Sequence, residues 1–174
     1  GDTVMLMLRR RYEWWILLPA LHRIGAIVIP ATDQLLQSDI EYRTNAADVK
    51  MIFCYDNPLV QEEIEKALPK SQSVKMLVTV GKSREGWINF HEEYERMPAE
   101  FPRPVGDAAT HNDDPMLIYF TSGTSGYPKM VLQDFDYPIG HIMTAKYWQG
   151  VVEDGLHLSI AETGWAKASG GKIY

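Results

Sequence analysis

Short apolar runs recur along the first half of the chain, separated by stretches with helical spacing, and this alternation restricts the fold more than any other feature. Val4-Met5-Leu6-Met7-Leu8, residues 26 to 29 and Met51-Ile52-Phe53-Cys54-Tyr55 are continuous rather than alternating, and residues 75 to 80 supply a fourth run. Continuous runs suit strands covered on both faces of a parallel sheet. After the first of them, Trp14, Leu17, Leu18, Leu21 and Ile24 repeat every three or four residues; Gly25 supplies a stop and Pro19 predicts a kink. Ser38-Asp39-Ile40-Glu41 has the form of a capping box, opening a helix to about Ala47. Asn57 as cap and Pro58 as first helical residue introduce Val60, Ile64, Ala67 and Leu68 on one face. The expected fold class is therefore α/β, a largely parallel sheet flanked by helices.

The proline-containing stretch Pro98 to Pro104 breaks that rhythm. It predicts an α/β part at 1–97, a connecting segment at 98–112, and a second part at 113–174 that opens on the turn Asp113-Asp114-Pro115 and the strand Met116 to Phe120. With 174 residues, 45% of them hydrophobic, the chain can bury one substantial core. Acidic residues outnumber basic ones by 23 to 17, for a net charge of -6, which argues against nucleic acid as a partner. Arg9-Arg10-Arg11 is a local basic cluster, expected to be a solvated strand end. No apolar stretch reaches the roughly eighteen residues of a membrane span, so no membrane partner is expected. Cys54 is the single cysteine and sits in an apolar run, which excludes an internal disulfide and predicts a buried, inert thiol in a reducing, cytoplasmic compartment. Gly1-Asp2-Thr3 and Lys172-Ile173-Tyr174 read as cut ends, with the remainder of the same protein as the missing partner.

The chemistry is concentrated between two apolar runs, in Thr121-Ser122-Gly123-Thr124-Ser125-Gly126-Tyr127-Pro128-Lys129. Gly123 and Gly126 let backbone amides approach an oxyanion closely. Thr121, Ser122, Thr124 and Ser125 add hydroxyl donors, and Lys129 adds a compact positive charge. A surface hairpin rich in Gly and Ser is the ordinary alternative for such a composition. The order of residues is not that of a Walker loop, because Tyr127 and Pro128 separate Gly126 from Lys129, and Met130-Val131-Leu132 reads as a strand instead of a helix.

This loop resembles the signature phosphate loop of the adenylate-forming superfamily, a Thr-Ser-Gly-Thr/Ser-Thr/Ser-Gly run followed after one residue by Pro-Lys. The resemblance extends through His22 to Ala31, Tyr42 to Ile52, Tyr137 to Val151 and Ala161-Glu162-Thr163-Gly164-Trp165, and is to the acetyl- and medium-chain acyl-CoA synthetase branch. It implies part of an N-terminal AMP-binding domain, of an enzyme whose carboxylic acid substrate attacks the α-phosphate of ATP and whose acyl-adenylate is then taken by coenzyme A. The loop would hold the β- and γ-phosphates, with Lys129 as the catalytic charge and Mg²⁺ bridging phosphate oxygens. By the resemblance, the later nucleotide motifs and the C-terminal lysine of that family would lie beyond Tyr174, so this stretch alone is expected not to turn over ATP.

Weaker candidates surround the loop. Glu162-Thr163-Gly164-Trp165 resembles the family's acidic-x-Gly-Trp turn after a strand, here Leu156 to Ile160, which makes Gly164 and Trp165 candidates for the wall of an acyl or nucleotide pocket. His141, on the helix from Asp136 to Gly150, is a further pocket candidate. Gln133 stands where the family often has histidine. Asp113-Asp114 reads as a turn, and the other histidines, at 22, 91, 111 and 157, lack metal-ligand spacing, so no metal site is expected. Two readings stay open beside the first: another carboxylate-adenylating enzyme, such as an aryl-CoA ligase or a peptide-synthetase adenylation domain, and a non-catalytic nucleotide-binding remnant.

Overall fold

A computed structural model of the chain describes residues 1–122 and 126–170. The apolar runs become strands β1 (Thr3–Met7), β2 (Ile27–Pro30), β3 (Val49–Tyr55) and β4 (Met76–Val80), each within a few residues of its expected position. Helices α1 (Tyr12–Arg23), α2 (Gln37–Ala46) and α3 (Pro58–Ala67) connect them. A short β5 (Ile88–Asn89) and α4 (Phe90–Tyr94) follow, then β6 (Pro115–Thr121), β7 (Lys129–Asp134), α5 (Tyr137–Tyr147) and α6 (Ala166–Ser169). The seven strands form one sheet in the order β5-β4-β3-β1-β2-β6-β7, parallel throughout except for β7, which runs antiparallel to β6.

The continuous apolar strands are explained by burial on both faces. Val4, Leu6 and Leu8 join Trp14, Leu17, Leu18 and Leu21 of α1 on one side of the sheet. Met5 and Met7 join Ile40 of α2 and Val60, Ile64 and Ala67 of α3 on the other. With α1 and α2 on opposite faces, the chain leaves β1 toward one face and leaves the neighbouring β2 toward the other. In an open parallel sheet that divergence opens a crevice at the carboxyl ends of the two strands, the place where such folds bind ligands.

Several local expectations shift. Pro19 falls on the exposed face of α1, and the helix continues through it to Arg23. Ile24 is 55% exposed, beyond the helix, so it does not extend the buried stripe. The helix starts two residues early, with half of a capping box: the Asp39 carboxylate accepts from the Leu36 N–H at 3.3 Å, which puts Ser38 inside the first turn. Asn57 caps α3 as expected, its side chain accepting from the Leu59 N–H at 3.0 Å. Residues 156–160 form no strand, and Leu156, Leu158 and Ile160 stand exposed. Cys54 is fully buried, and burial pushes its thiol up to about 12, an inert sulfur.

Candidate active site

The ends of β1, β2 and β3 are tied together by the basic triplet. Arg9 pairs with Asp33 at 2.9 Å, and Asp33 also accepts from the Tyr55 hydroxyl at 2.7 Å. Arg11 reaches Asp56 at 3.2 Å and Glu13 at 3.2 Å. Burial would push the Glu13 carboxyl up, but the Arg11 guanidinium outweighs it and holds the group below the usual carboxylate range. Arg10 reaches furthest along the chain, with its Nε 3.6 Å from Glu162 and a hydrogen bond to the Ile160 carbonyl at 3.2 Å. Arg9 and Arg10 keep exposed side chains just past the end of β1, the solvated strand end expected from the composition, and the ion pairs make the triplet a set of anchors as well.

Arg10 holds down the turn that carries Gly164 and Trp165. The Thr163 hydroxyl donates to the Leu8 carbonyl just past β1, and Thr163 is 1% exposed. Gly164 lies so close to β2 that a Cβ there would stand 2.3 Å from the Thr32 nitrogen, a separation that excludes any side chain. Thr163 and Gly164 thus seat the turn across the carboxyl ends of the two strands between which the sheet's connections diverge. Trp165, 61% exposed, is left at the mouth of the crevice.

The loop between β6 and β7 approaches from the other side. β6 lies beside β2, with Leu117 opposite Val28, and carries Thr121 at its end. Thr121 is in register with Lys129 of β7, and the Thr121 hydroxyl donates to the Lys129 carbonyl at 3.4 Å. Gly126, at φ +96, occupies backbone space that side chains disfavour. Tyr42 of α2 donates to the Pro128 carbonyl at 2.8 Å and stacks on Tyr127 with ring centroids 4.6 Å apart.

Thr121, Ser122 and Pro128 from the loop, Gly164 and Trp165 from the turn, and Thr32 and Arg43 between them line one cleft of about 440 Å³. Lys129 is exposed and next to the lining without being part of it. Gly123, Thr124 and Ser125 lie outside the described residues. His141 is not brought to this cleft: it lines a separate groove of about 820 Å³ with Tyr137, Trp148 and His157, packed edge-on against Tyr137 at 4.5 Å. Gln133 is half-buried on β7. Sequence reasoning missed Thr32, Tyr42 and Arg43 as parts of the site. Tyr42 and Arg43 lie in a helix whose pattern marks only Ile40 and Thr44 as fully buried, and no local signal announces what their side chains reach.

Residues 1–166 match the AMP-binding enzyme family. The chain belongs to it. Among its relatives it is similar to the human mitochondrial acyl-coenzyme A synthetase ACSM5, 35% identical over 97% of this chain and 28% of that protein. The mouse mitochondrial acyl-coenzyme A synthetase ACSM4 is 32% identical over all of this chain and 29% of its own length. This member of the family therefore spans under a third of these relatives. A Brucella canis acyl-CoA synthetase structure superposes with a TM-score of 0.82 at 23% identity, covering 98% of this chain and 30% of that one, a likeness of fold. The expectation of a cytoplasmic compartment is overturned, since these relatives are mitochondrial proteins. A lone buried thiol forms no internal disulfide in either compartment, so Cys54 does not discriminate between them.

Proposed function

We propose that the chain forms the phosphate-holding portion of an AMP-forming acyl-CoA synthetase, which adenylates a carboxylic acid with ATP and passes the acyl group to coenzyme A. The observation that carries this reading is the meeting of the Thr121–Ser122 hydroxyls with the Gly164–Trp165 turn in one cleft at the sheet's crevice. Similarity to acyl-coenzyme A synthetases over nearly the whole chain supports this reading over other carboxylate-adenylating enzymes. By the resemblance, the acid is an acetyl- to medium-chain fatty acid. Residues 1–97 and 113–174 are read as two parts of one domain joined by 98–112, supported by the pairing of β2 with β6.

In the first step a carboxylate oxygen attacks the α-phosphorus, the bond to the oxygen bridging to the β-phosphate breaks, and pyrophosphate leaves with the electron pair. Thr121, Ser122, Gly123, Thr124, Ser125 and Gly126 hold the β- and γ-phosphates, and Lys129 offsets the charge that gathers on them. In the second step the coenzyme A sulfur attacks the acyl carbon and AMP departs. Mg²⁺ would travel on the phosphate oxygens; among the described residues no group of three or more His, Cys, Asp or Glu side chains is placed to hold a metal. Trp165, at the mouth of the cleft, walls the acid's approach.

Product analysis of the full-length protein tests the reading. With ATP, Mg²⁺ and acetate, butyrate or hexanoate, AMP and an acyl-CoA thioester form together, and omitting coenzyme A abolishes the thioester. Carboxylate-dependent AMP formation with no thioester in the presence of coenzyme A would point to a different acyl acceptor and contradict it.

A further inference from the structure

The loop at Thr121–Lys129 leaves the sheet from β6 and returns to it in β7, where Lys129 stands in register with Thr121. Helix α2 adds a second hold on the peptide before Lys129, from 86 residues away in the chain. The Tyr42 hydroxyl donates to the Pro128 carbonyl at 2.8 Å. Its ring stacks on Tyr127 at 4.6 Å and 18°, and meets Phe120 edge-on at 6.1 Å. Tyr42 thus touches the strand residue that enters the loop and the two residues that precede Lys129. The helix beneath it is firmly seated: Ile40 and Thr44 on either side are fully buried, and the Thr44 hydroxyl is bonded to the Ser71 hydroxyl at 2.7 Å. Holding the Pro128 carbonyl fixes the orientation of the Pro128–Lys129 peptide, and with it the direction in which the Lys129 side chain leaves the backbone. A tyrosine present only to fill space needs no such partner for its hydroxyl, and phenylalanine would serve as well.

We propose that Tyr42 is a positioning residue for adenylyl transfer, which grips the return of the loop through Tyr127 and Pro128 and so aims Lys129. The proposal rests on the function proposed above. It acts through Lys129 and the loop, so its signature is a loss confined to the nucleotide.

The test uses full-length protein carrying Tyr42→Phe, which keeps the stacked ring and removes the hydroxyl, and Tyr42→Ala, which removes both. Two measurements are made: carboxylate-dependent ATP–pyrophosphate exchange, and amide hydrogen exchange of the peptide covering 119–131 without nucleotide. A net hydrogen bond predicts that Tyr42→Phe lowers kcat/KM for ATP about three- to tenfold, with the carboxylate KM and melting temperature unchanged. Tyr42→Ala falls further, and both variants exchange their loop amides faster. Wild-type kcat/KM for ATP and wild-type amide exchange in Tyr42→Phe overturn the proposal. So does an equal loss toward ATP and carboxylate with a lowered melting temperature, the mark of a merely structural residue. Were the wild-type protein to lack pyrophosphate exchange altogether, the proposed function would fail by itself; faster loop amide exchange in Tyr42→Phe would still support the grip, and unchanged amide exchange would still overturn it.

Discussion

Arg10 anchors the turn that carries Trp165, through Glu162 and Ile160, and Trp165 stands 61% exposed at the mouth of the cleft. An exposed ring that lines a cleft acts through shape and apolar contact, so Trp165→Ala should change which acids are used more than it changes the KM for ATP. Rates with acetate, butyrate and hexanoate measure this; a parallel fall for all three would mean that the ring only packs. His22 offers a second residue-scale test. Burial lowers its imidazole to about 4 from an ordinary 6.5. The folded protein therefore keeps His22 neutral while the unfolded chain protonates it, and stability falls as pH drops from about 6.5 toward 4, by about 3 kcal/mol once both limits are passed. Between pH 7 and 4 the apparent melting temperature of His22→Gln should fall less steeply than that of the wild type. Apart from the local pair of Arg11 with Glu13, the arginine anchors were not legible in the sequence, because their acids at 33, 56 and 162 lie far from the triplet along the chain and only the fold brings them near.

The secondary elements were legible where period and punctuation agreed. α3 is the clearest case, with Asn57 and Pro58 at its start and Val60, Ile64 and Ala67 buried on one face. Its cap bond, from the Leu59 N–H to the Asn57 side chain at 3.0 Å, predicts that Asn57→Ala lowers stability by about 1 kcal/mol, measured by denaturant midpoint at unchanged slope. Asn57 also donates to the Tyr55 hydroxyl at 2.9 Å, so a cost well below that figure would mean neither bond matters. Elements were misread where one signal stood alone. Residues 156–160 alternate apolar and polar as a strand would, but have no partner strand among the described residues, and a segment without pairing leaves its backbone groups to water. At the start of α2 the serine that fits the cap pattern, Ser38, lies two residues past the cap position, and Asp39 reaches back to Leu36 instead.

At the scale of the whole molecule, the parallel sheet followed from the alternation of runs, but the crevice did not, because it depends on α1 and α2 lying on opposite faces. The β7 edge of the sheet and α5 are apolar on their surface: Met130, Val131 and Leu132 on the edge strand β7, and Ile139, Ile142, Met143, Tyr147 and Trp148 on or beside α5, are all exposed. An unpaired edge beside apolar side chains invites association. Residues 1–174 alone should therefore self-associate at micromolar concentration in sedimentation velocity, and a monodisperse monomer would contradict this reading of the surface. The most direct measurement concerns the loop itself. In folded full-length protein, carboxylate-dependent ATP–pyrophosphate exchange should fall about ten- to a hundredfold on Lys129→Ala, the effect of losing one charge-assisted hydrogen bond, with little change in melting temperature. Unchanged exchange in a folded Lys129→Ala protein would contradict the assignment of this loop to the departing phosphates.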